Sequence, residues 1–329
     1  MKTSVLSIDA MRGILAYFVI LIHLKPLCCG DDYADSFVNV VARIAVPLFF
    51  CISGFLNYRR IQELDFLRFL SKLARSVLVP YFSISLLAAF LLWVVSMILG
   101  EVVILGYQFP LSIYSFADFI FGFDGYPGLF HLWFLRNLFL AAIFVYFFRP
   151  NVSKGLAWLL LYASAIAWAA AEYESKFLSL YIESISSFLA GYLIARLLAM
   201  NALNWHCFLI FFAGLSSSEF ILAALGSQDV GRSLIPILAA LFVLGFVYYF
   251  DVKGFKLPYL LTKASEFSLP IYLFHLPFVL IFILVLDGEP NFGFLEISLS
   301  AFFVFCFSYI FSYLLRQVLP VCYILMVGK

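Results

Sequence analysis

Charged residues are scarce in this chain: they fill 12% of 329 positions, about half the share of an ordinary soluble domain. That scarcity excludes a soluble globule, a nucleic-acid binder and a disordered chain. Twenty Lys and Arg against 19 Asp and Glu leave a net charge of +1, so only the placement of charges carries information about partners. A disulfide framework is also missing. Cys51, Cys207, Cys306 and Cys322 lie in or beside apolar runs, and Cys28 and Cys29 are neighbours with no third external cysteine. All six are expected to be reduced thiols behaving as small hydrophobes. No metal-type Cys/His spacing and no internal repeat occur. The apolar run 14–22 is followed by no small-x-small cleavage site, and residues 24–28 lack the small residues of a lipoprotein box, so this segment is expected to stay as the first span.

Apolar side chains are what the chain has in quantity: 65% of residues are hydrophobic and 20% aromatic, with a mean hydropathy of +1.07. At about 20 residues per span, ten spans take about 200 residues and leave about 130 for connections. The sequence therefore predicts an all-α polytopic membrane protein, one membrane domain over 1–329 with no appended soluble domain. The spans are expected at 8–27, 37–57, 77–99, 130–148, 155–171, 179–198, 206–225, 232–250, 267–286 and 295–316. Open strands are excluded there because hydrocarbon cannot satisfy their backbone polar groups.

Basic residues orient the spans. With the N-terminus inside, fifteen of the twenty Lys and Arg face the cytoplasm, among them Arg12, Arg59, Arg60, Lys72, Arg75 and Arg149. Lys25, Lys176 and Arg232 face outward, and Arg43 and Arg136 fall within spans. Such a bias predicts both termini in the cytoplasm. Two connections stand out. The stretch 58–76 carries leucines at 64, 67, 70 and 73 with basic residues between them, the pattern of a headgroup anchor or of an anion-binding surface. The stretch 100–130 is longer than an ordinary connection and rich in Phe and Tyr, which predicts a re-entrant or interfacial element.

Ionisable side chains at membrane depth cost at least ~2.5–3.5 kcal/mol each on insertion scales, so each needs a reason. His23, Arg43, His131, Arg136, Glu219 and His275 are expected within spans. One histidine alone reads as a structural hydrogen-bonding group; three histidines and two arginines at similar depth predict one polar cavity opening outward. On the first span, Arg12 and His23 are eleven residues apart, which is ~16 Å along a helix and close to three turns. Both then project from one face, with a separation comparable to an extended pantetheine arm.

Several segments resemble one family. Residues 7–13 (SIDAMRG) with His23 resemble its D-x-x-R-G…H first helix, and residues 43–55 (RIAVPLFFCISGF) its second. His131-Leu132-Trp133-Phe134-Leu135 resembles its H-L-W-F-L motif, and residues 268–277 (SLPIYLFHLP) its late S-L-x-I-Y-L-x-H-x-P. Together they resemble the acyltransferase-3 family of integral membrane O-acyltransferases. The resemblance implies a ten-helix core and a bacterial inner-membrane location. It also implies acetyl-CoA or another acyl-CoA as donor substrate, with no permanently bound cofactor or metal, and a carbohydrate or lipid-linked sugar as acceptor. Its essential pair corresponds to Arg12 and His23. Its Arg-x-x-Arg corresponds to Lys72-Leu73-Ala74-Arg75, where Lys72 keeps the charge but lacks the bidentate fork.

Acyl transfer to a hydroxyl needs a base, oxyanion stabilisation and exclusion of water. His23 is the expected general base, with Asp9 and Arg12 at the inner mouth, aided by Arg75 and Lys72, holding the CoA phosphates. Arg43 or Arg136 either offsets charge on the carbonyl oxygen or forms a structural ion pair. His131 and His275 are further candidates, His275 as a second base or acceptor-binding group. Trp133 and the outer tyrosines either stack on sugar rings or form an aromatic belt. Ser53 and Gly54 read as close helix packing rather than a nucleophile. The competing class is a transporter or flippase of a lipid-linked glycan or small anion, without acyl-transfer chemistry; a membrane scaffold would leave the buried charges unexplained.

Overall fold

A computed structural model describes residues 6–27, 32–40, 42–100, 102–104, 107–109, 112–123, 126–147, 149, 176–200, 266–285 and 292–328. The expected spans 155–171, 206–225 and 232–250, with Glu219, lie outside these residues. The described residues form α1 (Leu6–Leu24), α2 (Asp32–Val40), α3 (Ala45–Glu63), α4 (Phe66–Leu73), α5 (Val79–Leu99), α6 (Ile113–Phe121), α7 (Trp133–Phe147), α8 (Lys176–Ala199), α9 (Ser268–Val285), α10 (Phe294–Val318) and α11 (Pro320–Val327). Four helical runs among them are long and apolar enough to cross a membrane: Phe66–Ile98, Phe130–Phe147, Leu180–Ala199 and Phe294–Val318. Ser268–Ile283 is a shorter apolar helix.

Proline sets two boundaries that differ from expectation. The span predicted at 37–57 is interrupted: α2 ends at Val40, a 3-10 turn covers Ala42–Ile44, and α3 starts at Ala45. Pro47 sits in the first turn of α3, where its missing N–H would be unpaired anyway. The span predicted at 77–99 instead continues a run that begins at Phe66, through a π turn at Ala74–Leu78. Pro80 offers this turn no N–H, and the Val79 N–H reaches back five residues to the Ala74 carbonyl.

The 58–76 connection is consequently a helix corner. α3 runs on to Glu63, and the Asp65 side chain caps α4 by accepting from the Arg68 N–H at 2.9 Å. The buried face is Ile61, Phe69, Leu73 and Val77, while Leu67 is 75% exposed, so the leucine spacing misidentified that face. Phe69 stacks on Tyr146 of α7 at 4.8 Å, and Tyr146 donates to the Leu64 carbonyl at 3.1 Å.

The 100–130 stretch holds the one departure from helix among the described residues, an antiparallel hairpin of β1 (Val102–Ile104) and β2 (Tyr107–Phe109), followed by α6. Small residues set the tightest helix crossing. A Cβ on Gly54 of α3 would overlap the Phe188 carbonyl of α8, and one on Gly191 of α8 would overlap that of Cys51. Ser53-Gly54 is thus part of a close helix contact. Around it, α7 packs on α8, and α1 packs against α3, α9 and α10. The outer faces of α5 and α10 carry exposed Leu, Phe, Ile and Trp side chains, the surface a lipid tail would cover.

Candidate active site

Three helices that are distant in sequence bring three histidines together. His23 closes the last turn of α1, His131 lies in the 3-10 turn Phe130–Leu132 that opens α7, and His275 lies within α9. The rings of His23 and His275 stack at 5.0 Å, and His131 meets His275 edge-on at 5.5 Å. Phe130 closes one side, 5.1 Å from His23. His131 and His275 are fully buried. Three of the five side chains expected in one polar cavity, the histidines, are thus together; no group of three or more His, Cys, Asp or Glu among the described residues is placed to hold a metal ion.

The hydrogen bonds fix one tautomer. His275 Nδ1 lies 2.7 Å from the Tyr272 carbonyl oxygen. A carbonyl only accepts, so Nδ1 carries the proton and the neutral ring presents Nε2 as an acceptor. That Nε2 is buried with no hydrogen-bond partner among the described residues, and neither ring nitrogen of His131 closes a hydrogen bond of ordinary geometry with them. Pro277, inside α9, has no N–H to give the Leu273 carbonyl four residues before it. This carbonyl lies against His131. Unsatisfied buried polar atoms are costly and few in native folds, and three of those among the described residues belong to His131 and His275.

Next to this group is a cavity of about 370 Å³. Its polar lining is Arg12, Ser53, Asn57, Arg60, Ser76 and Ser268, and its apolar lining includes Phe49, Phe134 and Leu269. Tyr272 forms part of the same wall. The Tyr272 ring lies 5.9 Å from both His131 and His275, and its hydroxyl donates to the His131 carbonyl. One aromatic ring is thus shared by the arginine-lined cavity and the histidine group.

The remaining candidates sit elsewhere. Lys72 and Arg75 are exposed, and the cavity is lined instead by their neighbours Leu73, Ser76 and Val77. Trp133 packs between Phe50 and Tyr126, at 6.2 and 6.3 Å. Arg136 donates from Nη1 to the Phe121 and Gly122 carbonyls at 2.7 and 3.0 Å, and from Nε to Asn137 Oδ1 at 3.2 Å. Those carbonyls are at the C-terminal end of α6, where helix acceptors lack partners; Arg136 caps α6. The side chains of Asp9 and Arg43 lie outside the described set. Arg60, Asn57, Ser268 and Tyr272 were missed as site residues. Arg60 was hidden in an ordinary inner-side basic run, and only the folded structure shows it lining a cavity.

A helical protein with four runs long and apolar enough to cross a membrane, and with a buried imidazole group beside an arginine-lined cavity, is an arrangement suited to group transfer. The family model described as an acyltransferase domain, Acyl_transf_3, matches residues 5–316. This chain belongs to that acyltransferase family, as the motifs around Arg12, His23, His131 and His275 indicated. No curated protein and no solved structure matches it.

Proposed function

We propose that this chain is a multi-pass inner-membrane O-acyltransferase, one functional unit over residues 1–329, with both termini in the cytoplasm. It moves an acetyl or other acyl group from acyl-CoA to a hydroxyl of a cell-surface glycan or lipid-linked sugar. The observation that carries this reading is the common Tyr272 wall between the Arg12 cavity and the three-histidine group. The cavity supplies cations for a phosphate-bearing donor entering from the inner end; the histidines supply neutral acceptors where a thioester would be presented.

In the reaction, His23 takes the proton of the acceptor hydroxyl as its oxygen attacks the thioester carbonyl. A C–O bond forms, the C–S bond breaks, and the proton ends on the departing thiol of coenzyme A. Burial beside Phe130, His131 and His275 keeps water from competing with the acceptor. His275 Nε2, fixed as an acceptor by the Tyr272 carbonyl, orients the incoming hydroxyl.

The test is transfer from isotopically labelled acetyl-CoA in membrane vesicles that contain the acceptor glycans. His23→Ala is expected to insert normally and to lose at least about 100-fold in transfer, the size typical of removing a general base. Full transfer by His23→Ala removes this mechanism. Movement of a glycan with no covalent acetyl on any product assigns the chain to transport instead.

A further inference from the structure

We infer that Pro277 is a positioning residue for acyl transfer: it frees the Leu273 carbonyl, which orients the His131 imidazole as a second neutral acceptor beside His275. This rests on the acyltransferase reading above and brings Pro277 and His131 into its chemistry.

His131 is weakly held by its own segment. It lies in a single 3-10 turn, Phe130–Leu132, before α7 becomes regular, and 3-10 turns have poorer hydrogen-bond geometry than an α-helix. Two consecutive residues of α9 reach it instead. The Tyr272 hydroxyl donates to the His131 carbonyl, and the Leu273 carbonyl lies against the His131 ring. In a regular helix that carbonyl would accept from the N–H four residues later, but that residue is Pro277, which has none. Carbonyls freed in this way within membrane helices are satisfied by neighbouring groups. His131 is 3% exposed, and no other described group satisfies either of its ring nitrogens. The contact with Leu273 falls short of ordinary hydrogen-bond geometry, as contacts in active sites often do before substrate tightens them.

The carbonyl decides the protonation state of the ring. It only accepts, so the His131 nitrogen held there carries the proton and the other nitrogen is left as an acceptor. The preceding carbonyl of α9, that of Tyr272, does the same to His275 Nδ1 at 2.7 Å. Two adjacent backbone groups thereby set two imidazoles in one state, 5.5 Å apart and edge-on, with His23 stacked on His275 at 5.0 Å. Beside the base, the acyl acceptor then meets two fixed acceptor nitrogens: one for the hydroxyl that attacks and one for a neighbouring hydroxyl, as a sugar ring presents. An N–H at position 277 would compete for the Leu273 carbonyl and release His131.

The experiment measures transfer from labelled acetyl-CoA in membrane vesicles of cells producing each full-length variant, per amount of inserted protein, together with melting temperature in lipid nanodiscs. Pro277→Ala supplies the missing N–H and a better helix former, so its melting temperature is expected to hold or rise. Its kcat is expected to fall about tenfold through misplacement of His131, with the KM for acetyl-CoA changed by less than about twofold. Pro277→Gly restores the N–H without the helix propensity and gives the same loss of kcat. His131→Ala loses at least as much, and adding Pro277→Ala to it costs nothing further, because the effect runs through His131. Wild-type kcat in Pro277→Ala, a melting temperature that falls together with kcat, or a full second loss in the His131→Ala background overturns this inference and leaves the acyltransferase reading standing. A wild-type chain that transfers no acetyl group removes both.

Discussion

Two cavities of nearly equal volume, about 370 and 400 Å³, each have an arginine in the wall, and they differ in everything that makes a site. In the larger, Arg136 is tied to the Phe121 and Gly122 carbonyls, and the rest of the lining is chiefly Leu, Phe and Tyr. In the smaller, two arginines face three serines and an asparagine, one serine hydroxyl is unpartnered among the described residues, and the Tyr272 wall leads to the histidines. A cation beside a void does not define a site. What distinguishes them is the polar wall of the smaller cavity and its continuity, through Tyr272, with the histidines.

The comparison can be broken most directly at its two arginines. Arg12→Ala is expected to cut labelled-acetyl transfer by about 100-fold, since it removes charge from a low-dielectric site, with normal insertion in the membrane; activity within twofold of wild type would erase the distinction between the cavities. Arg136→Ala has its effect on structure. Loss of charged donors to the end of α6 costs about 2 kcal/mol, read as a lower melting temperature and faster amide exchange around 118–123. Weaker coenzyme A binding with an unchanged melting temperature would instead make Arg136 a ligand group. A smaller effect sharpens the link between the cavity and the histidines. Tyr272→Phe removes the hydroxyl that bonds the His131 carbonyl, costing about 1 kcal/mol of stability, and lowers kcat for acetyl transfer a few-fold while the KM for acetyl-CoA changes less. An equal rise in KM with constant kcat would place Tyr272 in donor binding alone.

The sequence was most informative where membrane burial makes a residue expensive. His23, His131 and His275 stood out because an imidazole at depth needs a reason, and the fold unites all three. α7, α8 and α10 lie close to their expected positions because long apolar runs leave little choice of structure. Arg136 carried the same cost for a different reason: its partners are backbone carbonyls of a loop helix, and any residue type supplies those, so no side-chain pattern foretold them. Arg60 was concealed in the opposite way. It lies among inner-side basic residues whose positive-inside role fully explains them, and its place in the cavity depends on how α3 packs on α8 and α1. The hairpin at Val102–Phe109 was indistinguishable from other aromatic loop, since three-residue strands are too short to show a period.

The five-residue turn at Ala74–Leu78 has a geometric effect on every residue before it. A regular helix advances about 100° of azimuth per residue, so one additional residue in a single turn offsets the two flanking segments by roughly that angle. A helical wheel drawn straight through 66–98 would misalign the basic face of α4 with the apolar face of α5. With the offset, the run can turn Leu73, Ser76 and Val77 inward while Lys72 and Arg75 point to solvent and the outer face of α5 still meets lipid. Deleting one residue there would straighten the ladder and swing the two segments out of phase with their surroundings.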